Sequence, residues 1–419
     1  MRYLIATFFA VSFFGLPWVA VTYPGPAHNL FSVIEETGDQ VASVFFEHSP
    51  KTIAEIQGRY KARSIESKVR ILIVPGHEPT EGGTSFDITK EREIVVLLAK
   101  ELKTFLQKNS RYEVFVTRDE KGWTPEFFEY FEKNWEEIIA WQDSRKKEVR
   151  RLIELGEFER LIPLVEHTTA PTEMAMRLYG INKWSSENDM DIVIHVHLND
   201  YVRANRLESG IHSGFAIYVP ESQYYNSTTT SVLAKTILKR LSKYNPVSNL
   251  PGERGGIIED QELIAVGSYN TSDAASMLIE YGYIYEPQFV NPETRGLAVK
   301  DLAYQTYIGL LDFFDSTSAT NVARFYDTVA LPHEWREKIV TKTPEGSDVF
   351  ALQTALLLEG VYPPGDKSKN DCPRTGRLGP CTKRSLGDFQ KRYNITGETN
   401  IVGDKTLEKL NERYGKGVF

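Results

Sequence analysis

Residues 190–199 read MDIVIHVHLN, an apolar run rich in β-branched side chains that carries two histidines near its end. Such a run, too short for a core helix and lacking alternation, suits a strand buried on both faces of a parallel sheet. His195 and His197 lie two positions apart and so share one face. His197 stands nearer the strand's C-terminal end, where an open parallel sheet places its functional groups. His195 reads as a partner behind that site or as a packed core histidine.

Working outward, the same pattern recurs in KVRILIV (68–74), YEVFVT (112–117), GFAIYV (214–219) and ASMLIEY (275–281), with helical periodicity over 90–108, 229–244 and 296–314. Strands alternating with helices predict an α/β class: a mixed, largely parallel sheet flanked by helices. Residues 123–166 break that rhythm. Their aromatic content (Trp123, Phe127, Phe128, Phe131, Trp135, Trp141) predicts an inserted helical hairpin, either a decorative subdomain or a lid. Residues 23–68 read as a spacer or as N-terminal helices lying on the next domain, and 316–345 as a polar linker. The tail at 346–417 predicts a small all-α domain of three short helices. Cys372 and Cys381 bracket its longest loop and, in an exported protein, would pair locally.

The 419 residues hold 49 Lys and Arg against 57 Asp and Glu, a net charge of −8 with no basic block. That balance argues against a nucleic-acid partner. Two cysteines exclude a thiolate zinc cluster, so any metal site must use histidines and carboxylates. One early arginine precedes residues 3–21, which carry no charge, the shape of a signal peptide. Nineteen uncharged residues also match a single membrane anchor. Residues 1–22 therefore predict export to the cell envelope, the periplasm or the exterior, cleaved or anchored. A buried N-terminal helix of a cytosolic protein is the blander alternative.

Four groups fall at strand ends or on the helix that follows one: His77 in VPGH, Glu91, His197 and Glu280 in LIEY. With Ile94 at 0° and about 100° per residue, Leu98, Leu102 and Phe105 fall at about 40°, 80° and 20°. Glu91 lands at about 60°, inside that apolar stripe, and Glu93 at about 260°, facing water. A carboxylate on a buried face must be paired or bind metal, which selects Glu91. Two histidines and one carboxylate form a zinc set that leaves a coordination position open. A further glutamate can move a proton. From the residues alone, the reading is an exported metallohydrolase.

Six segments in register resemble a known family. The zinc-dependent N-acetylmuramoyl-L-alanine amidases of the amidase_3 type carry, in order, D-P-G-H-G-G, a helix beginning with Glu, a strand ending T-R, R-x-x-x-A-N, S-I-H-A-N and E-x-G-F. The matching pieces here are VPGHEP, EREIVVLLAKEL, YEVFVTR, RLYGIN, IVIHVHLN and LIEYGY, within residues 69–315. The resemblance implies Zn²⁺ held by His77, Glu91 and His197, with Glu280 as the catalytic glutamate. Arg177 and Asn199 match pattern positions for which structural roles are expected. Val74 replaces the Asp, Glu78-Pro79 replaces two glycines, and Leu198 replaces the small residue after His197.

The tail is similar to three-helix peptidoglycan-binding domains, through LQTALLLEGVYPPG, RTGRLGPCTKRSLGDFQ and GETNIVGDKTLEKL. Together the two resemblances imply hydrolysis of the amide between N-acetylmuramic acid and L-alanine, with peptidoglycan as partner. Two alternatives remain: a catalytically silent module that localises or activates another wall hydrolase, and a zinc peptidase acting within the stem peptide.

Overall fold

Six strands form one sheet, ordered across it as Tyr112–Val116, Val69–Pro75, Ile192–Asn199, Ala275–Tyr283, Ala216–Pro220 and Ile257–Asp260. In chain order they are β1 (Val69–Pro75), β2 (Tyr112–Val116), β3 (Ile192–Asn199), β4 (Ala216–Pro220), β5 (Ile257–Asp260) and β6 (Ala275–Tyr283). The architecture is that of a computed structural model describing residues 50–62, 67–165, 170–203, 205–267, 273–315, 317, 319, 327–340 and 345–416. The export segment expected at 1–22 lies outside the described residues. Among the described residues no helix is long and apolar enough to cross a membrane.

Strands β2, β1, β3 and β6 run parallel, while β4 pairs antiparallel with β6 and β5 runs parallel to β4. The sheet is thus mixed and largely parallel, as expected. The alternation of side chains sends Ile71, Ile73, Ile192, Ile194 and Val196 to one face and Leu72, Val74 and Val193 to the other. The first face is covered by helices α2 (Glu91–Leu106), α5 (Ser227–Tyr244) and α6 (Pro292–Phe314). The second is covered by α3 (Pro125–Leu155) and α4 (Thr172–Glu187). A preceding helix, α1 (Ile53–Ala62), buries Ile56 and Tyr60 in the first core.

The insertion differs from the expected hairpin. It is one long helix with a single break at Asn134 (φ −116°, ψ 19°), and it ends where Gly156 adopts φ 71°. No glycine or proline lies between Pro125 and Gly156 to mark a turn, and the chain runs on past the kink at Asn134. Its aromatic stripe is not decoration: Phe127, Phe131 and Ile138 pack with Leu72, Val74 and Val193 and supply the sheet's second layer.

The C-terminal domain comprises α7 (Ser347–Leu358), α8 (Pro380–Arg392) and α9 (Asp404–Tyr414) around Leu352, Ala355, Leu386, Phe389 and Leu410. Part of the span read as a polar linker belongs to that core. Trp335 is 1% exposed and donates its indole N–H to the Asp348 carbonyl at 3.0 Å, and Ile339 pairs with Val402. Two tryptophan and isoleucine anchors among charged neighbours were too sparse a pattern to read as core. Cys372 and Cys381 are bonded to each other.

Candidate active site

Strand β1 delivers the chain into Pro75-Gly76-His77, and His77 adopts φ 68°. A non-glycine residue in that region is held there by its surroundings, a condition common at functional sites. Gly76 allows a close approach: a Cβ there would lie 2.3 Å from Cε1 of His197. The turn is clamped by Arg118, the arginine of the VTR segment, which is 2% exposed. Its guanidinium donates to the carbonyls of Pro75, Gly76 and Arg92. Burial lowers its pKa to about 10, against the opposing pull of Glu78 and Glu91. It remains a cation at neutral pH.

Glu91 is the first residue of α2 and is 2% exposed. Its Oε2 accepts from the backbone N–H of Thr84 at 2.9 Å and its Oε1 from that of Leu198 at 3.0 Å. The same Oε1 stands 2.8 Å from His77 Nε2 and 3.2 Å from His197 Nδ1. The His77 contact is off the line of a hydrogen bond. Ligand atoms from the three residues all lie within 4.8 Å of one another. Ligands around tetrahedral zinc stand roughly 3.4 Å apart, so these side chains fit such an ion with small adjustments. Burial pushes the Glu91 carboxyl up, but the charge of the nearby His77 and the hydrogen bond with His197 outweigh it and hold it well below the usual carboxylate range. Burial lowers the His197 pKa against the opposing pull of Glu91, which favours the neutral ring that metal binding needs.

Glu280 sits on β6 directly beside His197 in the parallel register. Its Oε2 meets no hydrogen-bond partner among the described residues. Burial, then the nearby carboxylates Glu91 and Glu253, push its pKa well above the ordinary value.

Glu253 escaped the sequence reading. It is fully buried on the turn Pro251–Glu253 and accepts from Asn199 Nδ2 (2.8 Å), Tyr218 OH (2.6 Å) and Tyr283 OH (3.2 Å). Nothing in NLPGERGG distinguishes it from a surface turn glutamate; only the three donors, scattered over 84 residues of sequence between Asn199 and Tyr283, reveal it. Asn199 therefore orients this carboxylate, in keeping with its structural expectation. Arg177 pairs with Glu78 at 3.2 Å. His195 is buried and, among the described residues, meets no hydrogen-bond partner, so it does not orient His77, Glu91 or His197. Burial, reinforced by His197, lowers its pKa to about 3.

The Amidase_3 family model, described as N-acetylmuramoyl-L-alanine amidase, matches residues 71–291. The PG_binding_1 model, described as a peptidoglycan binding domain, matches residues 345–410. Among solved structures, the CwlD amidase of Clostridioides difficile in complex with the GerS lipoprotein is 14% identical, covering 59% of this chain and 100% of that one, with a TM-score of 0.39. Ami1 from Mycobacterium smegmatis is 13% identical over 59% of this chain and 97% of its own, with a TM-score of 0.37. AmiC2 of Nostoc punctiforme is 15% identical over 58% and 96%, with a TM-score of 0.34. No curated protein matches the chain.

Proposed function

The chain belongs to the Amidase_3 family, the N-acetylmuramoyl-L-alanine amidases, and from that premise we propose that it is a zinc-dependent wall hydrolase cleaving the amide between the lactyl group of N-acetylmuramic acid and L-alanine. The observation that carries this reading is the convergence of His77, Glu91 and His197 within 4.8 Å, with Glu280 in register beside His197.

In this reading His77, Glu91 and His197 hold Zn²⁺. Bound there, the ion supplies Lewis acidity that polarises the scissile carbonyl and makes water acidic near neutral pH. Glu280 moves the proton. Its free Oε2 takes the proton of the attacking water and returns it to the departing amine of L-alanine, so one carboxyl serves as base and then as acid. Arg118 keeps the Pro75-Gly76 turn, and hence His77, in place through three carbonyls. Residues 69–315 would form the catalytic unit. The C-terminal domain at 346–417 would hold the enzyme on polymeric peptidoglycan and raise its local concentration. An envelope or extracellular location agrees with both family matches. Export through residues 1–22 is supported by the Cys372–Cys381 disulfide, a bond that persists in oxidising compartments.

Digestion of purified peptidoglycan, read by mass spectrometry, tests the proposal. Stem peptides with a free L-alanine amine are expected, lost on chelation and restored by Zn²⁺. Release of single amino acids or shorter peptides would instead make this a peptidase. No release despite bound zinc would make it a silent binding module.

A further inference from the structure

A cavity of about 620 Å³ opens beside the metal centre on the α3/α4 side of the sheet, and His77 and His197 are among its walls. That size lies within the range of small-molecule sites, about 300–1,000 Å³. Its interior is mainly apolar, formed by Val74, Trp123, Leu178, Ile264 and Leu278. His195 stands among these apolar side chains. It is 1% exposed, lines this cavity, and meets no hydrogen-bond partner at either ring nitrogen among the described residues. Val74 and Leu278 flank it in register on the two neighbouring strands, so the imidazole rises between two apolar side chains. A buried polar group without a partner is costly, and a leucine would serve packing better.

Departures from the family pattern converge on this one space. Val74 stands at the pattern's Asp, His195 at the Ser of S-I-H-A-N, and Glu78 at the first glycine after His77. Glu78 is 6% exposed, and its Oε2 joins the indole N–H of Trp123, at the mouth of the insertion, to Arg177 of α4, each at 3.2 Å. The altered turn and the inserted segment are thus physically one device, and together they wall the cavity.

We infer that this cavity is a binding subsite, contiguous with the metal centre, for an uncharged and mainly apolar group that presents one hydrogen-bonding atom to His195. Charge is disfavoured because the ionised groups at the rim pair with each other: Glu78 with Arg177, and Glu262 with Arg160. The unpartnered imidazole supplies a polar contact that fixes orientation, the usual division of labour in such sites. The group can belong to the substrate, next to the scissile amide, or to a separate small molecule. Only the first source rests on the amidase reading.

The probe is N-phenyl-1-naphthylamine, neutral and apolar with one N–H, whose fluorescence rises when it leaves water. Saturable one-to-one binding to the full chain is expected. Val74→Trp and Leu278→Trp, which narrow the cavity from either flank of His195, should each weaken it at least tenfold. His195→Leu should weaken it about three- to tenfold, the worth of one hydrogen bond, and His195→Gln should restore most of the loss. Displacement of the probe by a soluble muramoyl peptide assigns the subsite to the substrate. Simultaneous binding of both assigns it to a separate ligand. The inference is overturned if the wild type shows no saturable binding, or if both tryptophan variants, folded by circular dichroism, bind as the wild type does. None of these readouts requires turnover, so failure of the amidase reading would show separately, as absent hydrolysis with binding intact.

Discussion

Two half-buried carboxylates in this molecule are built on opposite rules. Glu359, in the C-terminal domain, accepts from Tyr393 OH, Tyr414 OH, Arg392 and Arg413, and ties the three helices together. Burial pushes its pKa up, but those hydrogen bonds outweigh it and leave it below the ordinary value. Glu280, in the catalytic domain, has no cation among the causes of its shift, faces the acids Glu91 and Glu253, and keeps Oε2 bare. The first arrangement spends every lone pair on structure. The second leaves an oxygen bare beside two other acids, an arrangement that costs stability and suits a group that exchanges protons.

Substituting Glu280 gives the largest expected effect and breaks the comparison at its functional end. Glu280→Gln should lower peptidoglycan hydrolysis about 10²- to 10⁴-fold. Bound zinc should stay at wild-type level, and the melting temperature should hold or rise, because a crowded acid has been removed. A variant that keeps wild-type turnover would sink the assignment, and one that loses zinc would make Glu280 a structural or ligating group.

The contrast also explains what could be read from sequence. Glu91 was legible because helical periodicity puts it on a buried face, where a lone carboxylate demands a reason. His77, His197 and Glu280 were legible because strand ends can be located from apolar runs. Glu253 was not, since its burial depends on Asn199, Tyr218 and Tyr283 arriving from separate strands. The insertion's helical character was evident, yet its fold-back was assumed; without a turn signal the chain simply continued. Trp335 shows the converse, a core residue hidden in a polar span because its partners, Asp348 and Asn411, lie on helices elsewhere in the sequence.

A second structural pair tests the other end of the comparison. Arg374 reaches from the C-terminal domain to Asp301 of α6 at 2.7 Å, each side chain 1% exposed. The same guanidinium donates to the Tyr244 carbonyl and to Thr354. The two domains are therefore locked together through a buried ion pair. Arg374→Met leaves Asp301 without its cation and should cost about 3–5 kcal/mol in denaturant unfolding. Arg374→Met with Asp301→Asn should recover part of that loss, because no uncompensated charge remains. Equal losses in the single and double variants would mean that the charge pairing is not what holds the interface.

Glu359 gives the smallest effect and the sharpest sign. A carboxyl whose folded pKa is depressed contributes stability above its unfolded value, about 4.3, and loses it as pH falls through the folded value. Glu359→Gln should therefore melt lower than the wild type at pH 7. The gap should close on acidification from about pH 5 to pH 3, as the wild-type carboxyl takes up its proton and comes to resemble the amide. Melting curves of the two proteins across that range decide it. A gap that stays constant would show that Glu359 contributes through shape and neutral hydrogen bonds alone. The distinction between a saturated structural carboxylate and a bare functional one would then rest on Glu280 by itself.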